Sequence, residues 1–141
     1  MKGVLRMKKL YQWIILTLSL TAIVLECLPN GVEMHFMAAP YEDVPYYVTM
    51  ASYYSLLPFG YANFAPLLTF ICTVLLVLCA VFWLIRNTQK TKICVLSVSW
   101  IATVLSVIAS VFSYGTAISI GIVALLVASA LLTTCVRRNI G

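Results

Sequence analysis

The sequence predicts an all-α integral membrane protein: a four-helix bundle with both termini on the cytoplasmic side and a short amphipathic helix in its first extracellular loop. Three observations predict it. Hydrophobic residues make up 63% of the 141 residues and charged residues 9%, with a mean hydropathy of +1.05, whereas a soluble domain carries about 25% charged residues. The apolar excess is gathered into four runs, Leu10 to Leu28, Phe64 to Ile85, Ile93 to Phe112 and Ala117 to Cys135. Each is close to the roughly 20 residues that a helix needs to cross about 30 Å of hydrocarbon. The charges, finally, are sorted by sign along the chain.

The nine bases are Lys2, Arg6, Lys8, Lys9, Arg86, Lys90, Lys92, Arg137 and Arg138. They precede the first run, separate the second from the third, or follow the fourth. The four acids, Glu26, Glu33, Glu42 and Asp43, lie at the end of the first run or between it and the second. Lys and Arg are retained on the cytoplasmic side, so both termini and the second connection are expected inside. The net charge of +5 then marks topology, and no nucleic-acid partner is expected. The chain reads as a single transmembrane domain in the cell (plasma) membrane.

The first span, about residues 10–28, begins after Lys8 and Lys9 with Tyr11 and Trp13 at the inner interface and stops at the helix-ending cluster Pro29, Asn30 and Gly31. A basic start and an apolar centre also suit a signal peptide. No small-x-small pair ends the run, however, and Glu26 precedes Cys27 where a lipoprotein requires a small residue, so a retained helix is expected.

The outer loop, about 29–62, is the sizeable extramembrane segment. Within it, YEDVPYYVTMASYYSLLP predicts a short helix: Asp43 can cap it, Pro45 is tolerated in the first turn, and carboxylates favour the positive end of the helix dipole. Val44, Tyr47, Val48, Ala51, Tyr54 and Ser55 would share one face, suited to lying on the membrane or folding over the bundle.

The stretch LLPFGYANFAPLL then reads as a helix start in an aromatic belt. Pro58 and Gly60 end the surface helix, Asn63 caps the next span, and Pro66 falls in the first turn, where its missing N–H costs nothing. Phe59, Tyr61 and Phe64 suit headgroup level.

The second span, about 64–85, joins the third, about 93–113, through RNTQKTK. The third joins the fourth, about 117–135, through the short SYGT, where Gly115 can take the left-handed conformation and Thr116 can cap. Those two spans are therefore expected to be antiparallel neighbours. A stripe of Ser99, Thr103, Ser106, Ser110 and Ser113 on one helix and of Ala117, Gly121, Ala124 and Ala128 on the other would form their packing seam, since small residues let backbones approach closely in lipid. The hydroxyl stripe also admits a polar conduit.

Few residues carry candidate chemistry. Glu26 is the carboxylate closest to hydrocarbon, where acids are costly and often functional. It is expected to meet outer headgroups or loop polar groups. His35 is the single histidine and reads as a loop residue. With Glu33, Cys27 and Glu26 it offers metal-ligand atoms but not the paired Cys or His of a zinc site. The five cysteines show no Cys-x-x-Cys pair for thiol redox work. Tyr46, Tyr47, Tyr53 and Tyr54 are the amphipathic rings found at protein contacts and at membrane interfaces. No cofactor motif occurs.

The segments LLPFGYANFAPLLT and LECLPNGVEMHF resemble those of uncharacterised small four-span membrane proteins of Gram-positive bacteria, over about the first 85 residues. The resemblance implies the four-span fold and a bacterial origin, and implies no activity. The expected function is that of a non-enzymatic accessory or interaction subunit, with the lipid bilayer, further copies of itself or other membrane proteins as partners. The alternative is a small-solute or cation transporter or channel that uses Glu26 and the third-span hydroxyls.

Overall fold

The computed structural model describes residues 2–38 and 45–140. Helix α1 (Lys2–Glu26) leads into a hairpin of β1 (Val32–Met37) and β2 (Tyr46–Ala51), followed by a single helical turn, α2 (Leu56–Gly60), and three long helices, α3 (Ala65–Arg86), α4 (Gln89–Phe112) and α5 (Ala117–Ile140). Four helices are long and apolar enough to cross a membrane, over Lys9–Glu26, Ala65–Arg86, Gln89–Phe112 and Ala117–Val136. They mark the chain as a multi-pass membrane protein. Helix α1 packs against α3 and α5, and α4 packs against the same two, so the four close a ring in the order α1, α3, α4, α5.

The interior of the ring alternates apolar side chains with small hydroxyls. Ile15, Leu76, Trp83, Val95, Ile122 and Leu126 are buried, as are Ser19, Thr69, Thr73, Ser99, Ser106 and Thr133. The hydroxyls are satisfied largely within their own helices: Ser19, Thr69, Thr103 and Thr133 each donate to the carbonyl four residues back at 2.8 Å. Such bonds let a polar group sit in an apolar interior without a partner across the bundle. The outward faces are apolar, with Val24, Ile85 and Val111 exposed by 62%, 73% and 72%, as a lipid solvent requires.

The segment between the first two spans departs from the sequence reading. Tyr46–Ala51, expected as part of an amphipathic helix, is a strand paired antiparallel with Val32–Met37, from Val32 opposite Ala51 to Met37 opposite Tyr46. The physical reason is the run YYVTM, whose aromatic and β-branched residues favour a pleated surface, together with the alternation of VEMHFM, in which Val32 and Met34 are buried while Glu33 and His35 are not. The helical turn that does form is α2, which contains Pro58 and Gly60. Asp43, Glu42, Tyr41 and Val44 lie outside the described residues.

Local ends differ too. The cap position of α3 is Phe64, in helical conformation and without a side-chain cap bond, with Pro66 in the first turn; Asn63 does not cap it. Helix α4 begins before its apolar run because Thr88 caps it, accepting from the Thr91 N–H. Between α3 and α4, Asn87 is left-handed and donates its N–H to the Trp83 carbonyl. The α4–α5 turn holds Gly115 at φ +64, and Thr116 Oγ1 accepts from the Ser119 N–H at 3.2 Å.

The buried side of α5 is formed by Ser119, Ile122, Leu126, Ser129, Ala130, Thr133 and Val136. Of the small-residue stripe expected there, Ala117 and Ala124 are exposed and Gly121 and Ala128 half-buried. Gly121 meets α1, where a Cβ would stand 3.3 Å from Leu25 Cδ1. On α4, Ser99, Thr103, Ser106 and Ser113 are buried, and Ser110 lies 3.2 Å from Ser119 of α5.

Candidate functional site

The hairpin is tied to the ring at two backbone points. Thr116 Oγ1 donates to the Gly31 carbonyl at 2.9 Å, and the Tyr53 N–H donates to the Glu26 carbonyl at 3.1 Å. Gly31 packs against the ring of Tyr53, whose Cδ2 would lie 3.0 Å from a Cβ there. Tyr53 is consequently enclosed, with no exposed surface.

Beneath this closure lies a buried polar node. Glu26, the last residue of α1, has 0% exposure, so it lies inside the protein rather than among headgroups. Thr73 of α3 stands 2.8 Å from its Oε1, and the same hydroxyl stands 2.9 Å from the Thr69 carbonyl. One hydroxyl hydrogen therefore faces two acceptors. Glu26 Oε2 and the Tyr53 hydroxyl are buried and have no hydrogen-bond partner among the described residues. Burial, reinforced by negative charge on Glu26, pushes the Tyr53 phenol above the ordinary tyrosine range, so it remains an O–H donor.

Above the ring, an open cleft of about 580 Å³ lies between β1, the residues leading into α3 and the end of α4; Glu33, His35, Phe36, Tyr61, Phe112 and Tyr114 contribute to its walls. Strand alternation puts Glu33 and His35 on one face, and His35 Nε2 lies 2.7 Å from Glu33 Oε1. The His35 ring is stacked between Tyr46 and Tyr114, with centroids 4.9 and 4.2 Å away. Phe36 meets Tyr61 edge to face at 4.8 Å.

The tyrosines singled out from the sequence thus divide. Tyr46 stacks on His35, Tyr53 is buried, Tyr47 is half exposed, and Tyr54 is half exposed with its ring 6.0 Å from Phe70. Sequence reasoning missed Thr73, Tyr61 and Tyr114 as partners. The polar pair Thr69 and Thr73, four apart within an apolar run, was the available signal for the first. It also missed that Cys79 of α3 and Cys94 of α4 meet, with 3.3 Å between their sulfurs. Among the described residues, no group of three or more His, Cys, Asp or Glu is arranged to hold a metal ion.

In comparisons with known proteins, no family model, curated protein or solved structure matches this chain.

Proposed function

We propose that the chain is a non-enzymatic accessory or interaction subunit of the cell membrane of a Gram-positive bacterium, with both termini in the cytoplasm. The supporting observation is the outer hairpin, where Tyr46, Tyr47, Val48 and Met50 of β2 are each between 46% and 50% exposed and the neighbouring Tyr54 and Leu56 are exposed too. Tyr46, Val48 and Met50 share one face of the hairpin and Tyr47 lies on the other, and aromatic residues and Met are enriched where proteins meet. The orientation is supported by the bases, all of which lie on the side of the two termini and the α3–α4 connection. Photo-reactive amino acids at Val48, Met50 and Tyr54 in living cells test the role. A light-dependent adduct with another membrane protein or a second copy is expected; no adduct at any of the three refutes it.

A second reading, transport of a small cation or a proton, is favoured by one feature: the enclosed Glu26 carboxyl beside Thr73. A proton on this carboxyl would donate to Thr73 Oγ1 and free the threonine hydrogen for the Thr69 carbonyl, satisfying both contacts. A carboxyl held in this way inside a bundle is the usual element of a proton or ion path. Flux of protons and monovalent cations into proteoliposomes, compared for wild type and Glu26→Gln, decides it: a large flux lost in the variant supports transport, and no flux in wild type removes it.

A further inference from the structure

We infer that the outer cleft is a binding site for a lipophilic monocation, an ammonium group carried on an apolar body. The inference goes beyond the interaction role: it concerns a small ligand of the Glu33 cleft and is read by binding to the purified chain, whereas the interaction role is read by cross-linking in cells.

Three observations on the cleft agree. The first is charge. Glu33 presents a carboxylate to the cleft with Oε1 engaged by His35 Nε2. Among the residues that line the cleft, Glu33 is the acidic one and none is a lysine or arginine. No lysine or arginine lies between Leu10 and Ile85, nor between Ile93 and Val136, so no side-chain ammonium or guanidinium of the outer half competes for that charge.

The second is the wall chemistry. Phe36, Tyr61, Phe112 and Tyr114 line the same cleft, and aromatic faces attract a cation within about 6 Å of the ring centre. The edge-to-face contact of Phe36 with Tyr61 and the stacking of His35 on Tyr114 fix these rings before any ligand arrives, which lowers the entropic cost of binding.

The third is size and access. About 580 Å³ falls within the roughly 300–1,000 Å³ of small-molecule sites. One wall, Ile108 and Phe112 of α4, is exposed on a face that meets lipid, by 40% and 66%. An apolar body can therefore rest toward the bilayer while the nitrogen reaches Glu33. The same absence of basic side chains gives no partner for a phosphate, which favours a ligand without an anionic group over a zwitterionic headgroup.

The test is equilibrium binding of benzyltrimethylammonium to the purified chain in dodecyl maltoside micelles. Its neutral carbon isostere, neopentylbenzene, serves as the comparison. Saturable one-to-one binding is expected, at least about tenfold tighter for the cation than for the isostere. Glu33→Gln should erase that preference while Glu33→Asp keeps part of it, and Tyr61→Ala should weaken the cation several-fold. Displacement of the probe by added sphingosine, a membrane lipid with an ammonium group and no phosphate, would identify lipid as the source of the ammonium, and no displacement a soluble amphiphile. Equal binding of cation and isostere to wild type overturns the inference whether or not the variants fold, as does an unchanged preference in a folded Glu33→Gln.

Discussion

Tyr53 is the largest of the fully buried side chains among the described residues, yet its hydroxyl bonds to none of them. An unpaired buried hydroxyl carries a desolvation cost, so Tyr53→Phe is expected to stabilise the protein by about 1 kcal/mol, read as a higher midpoint of thermal unfolding in detergent micelles. The pH dependence follows from the raised phenol. The folded-state value lies above the ordinary one near pH 10 of an unfolded chain, so the full stability is present below about pH 10 and drains away as pH rises toward the folded value. The Phe variant should lose that part of the alkaline sensitivity; an identical alkaline profile would show that Tyr53 is not enclosed. Gly31 tests the same contact from the other side. A methyl group there would press on the Tyr53 ring at 3.0 Å, and overpacking of this kind costs about 1–3 kcal/mol. Gly31→Ala should therefore lower the unfolding midpoint, and the loss should shrink in a chain that also carries Tyr53→Leu.

At the scale of elements, the long helices were legible because each carries its own signal, an apolar run of spanning length bounded by charges or by turn residues. The hairpin was not, because a strand is stabilised by a partner distant in sequence. Asp43 and Pro45 are plausible helix-start residues, and nothing local to Tyr46–Ala51 announces Val32–Met37 as its neighbour. The alternation in VEMHFM was visible but short, and six residues of alternation separate weakly from a loop. Helix faces failed in a similar way. Small residues at regular spacing on α5 identify a face but not which neighbour it meets, and Gly121 meets Leu25 of α1 rather than α4. The pairing of α3 with α4 gives a direct check on rotational register. Cys79 and Cys94 lie 3.3 Å apart at their sulfurs, near enough for mild oxidation by copper phenanthroline to join them, with loss of two hydrogens from the intact mass. Cys79→Ser and Cys94→Ser should each abolish the link, while Cys72→Ser should leave it; a link to Cys72 instead would mean that α3 is rotated.

The whole molecule follows from its solvent. In water, the apolar faces exposed at Val24, Ile85 and Val111 would be a liability and the hydroxyl-rich interior an odd place to put polar groups. In lipid, apolar side chains gain nothing by turning inward, and association rests on close packing and on hydrogen bonds that cannot be made outside. Ser99, Thr103 and Ser106 buried in the ring fit that arrangement. The interior therefore also explains why the candidate site was only half legible. Glu26 stood out by its chemistry at the end of an apolar run, but its enclosure depends on Tyr53 and Gly31 folding back over it, a tertiary event that the sequence of α1 does not contain. Orientation is the remaining global property, and the distribution of the bases gives a testable expectation for it. Moving a connection flanked by several Lys and Arg across the membrane is strongly disfavoured, so the α3–α4 connection, flanked by Arg86, Lys90 and Lys92, should stay in the cytoplasm and the hairpin outside. In a cysteine-free chain, Asn30→Cys should react with a membrane-impermeant maleimide in intact cells, whereas Lys90→Cys, also exposed, should react only after permeabilisation. The reverse pattern would place the aromatic hairpin, the Glu33 cleft and the closure over Glu26 on the cytoplasmic face, where their proposed partners would have to come from inside the cell.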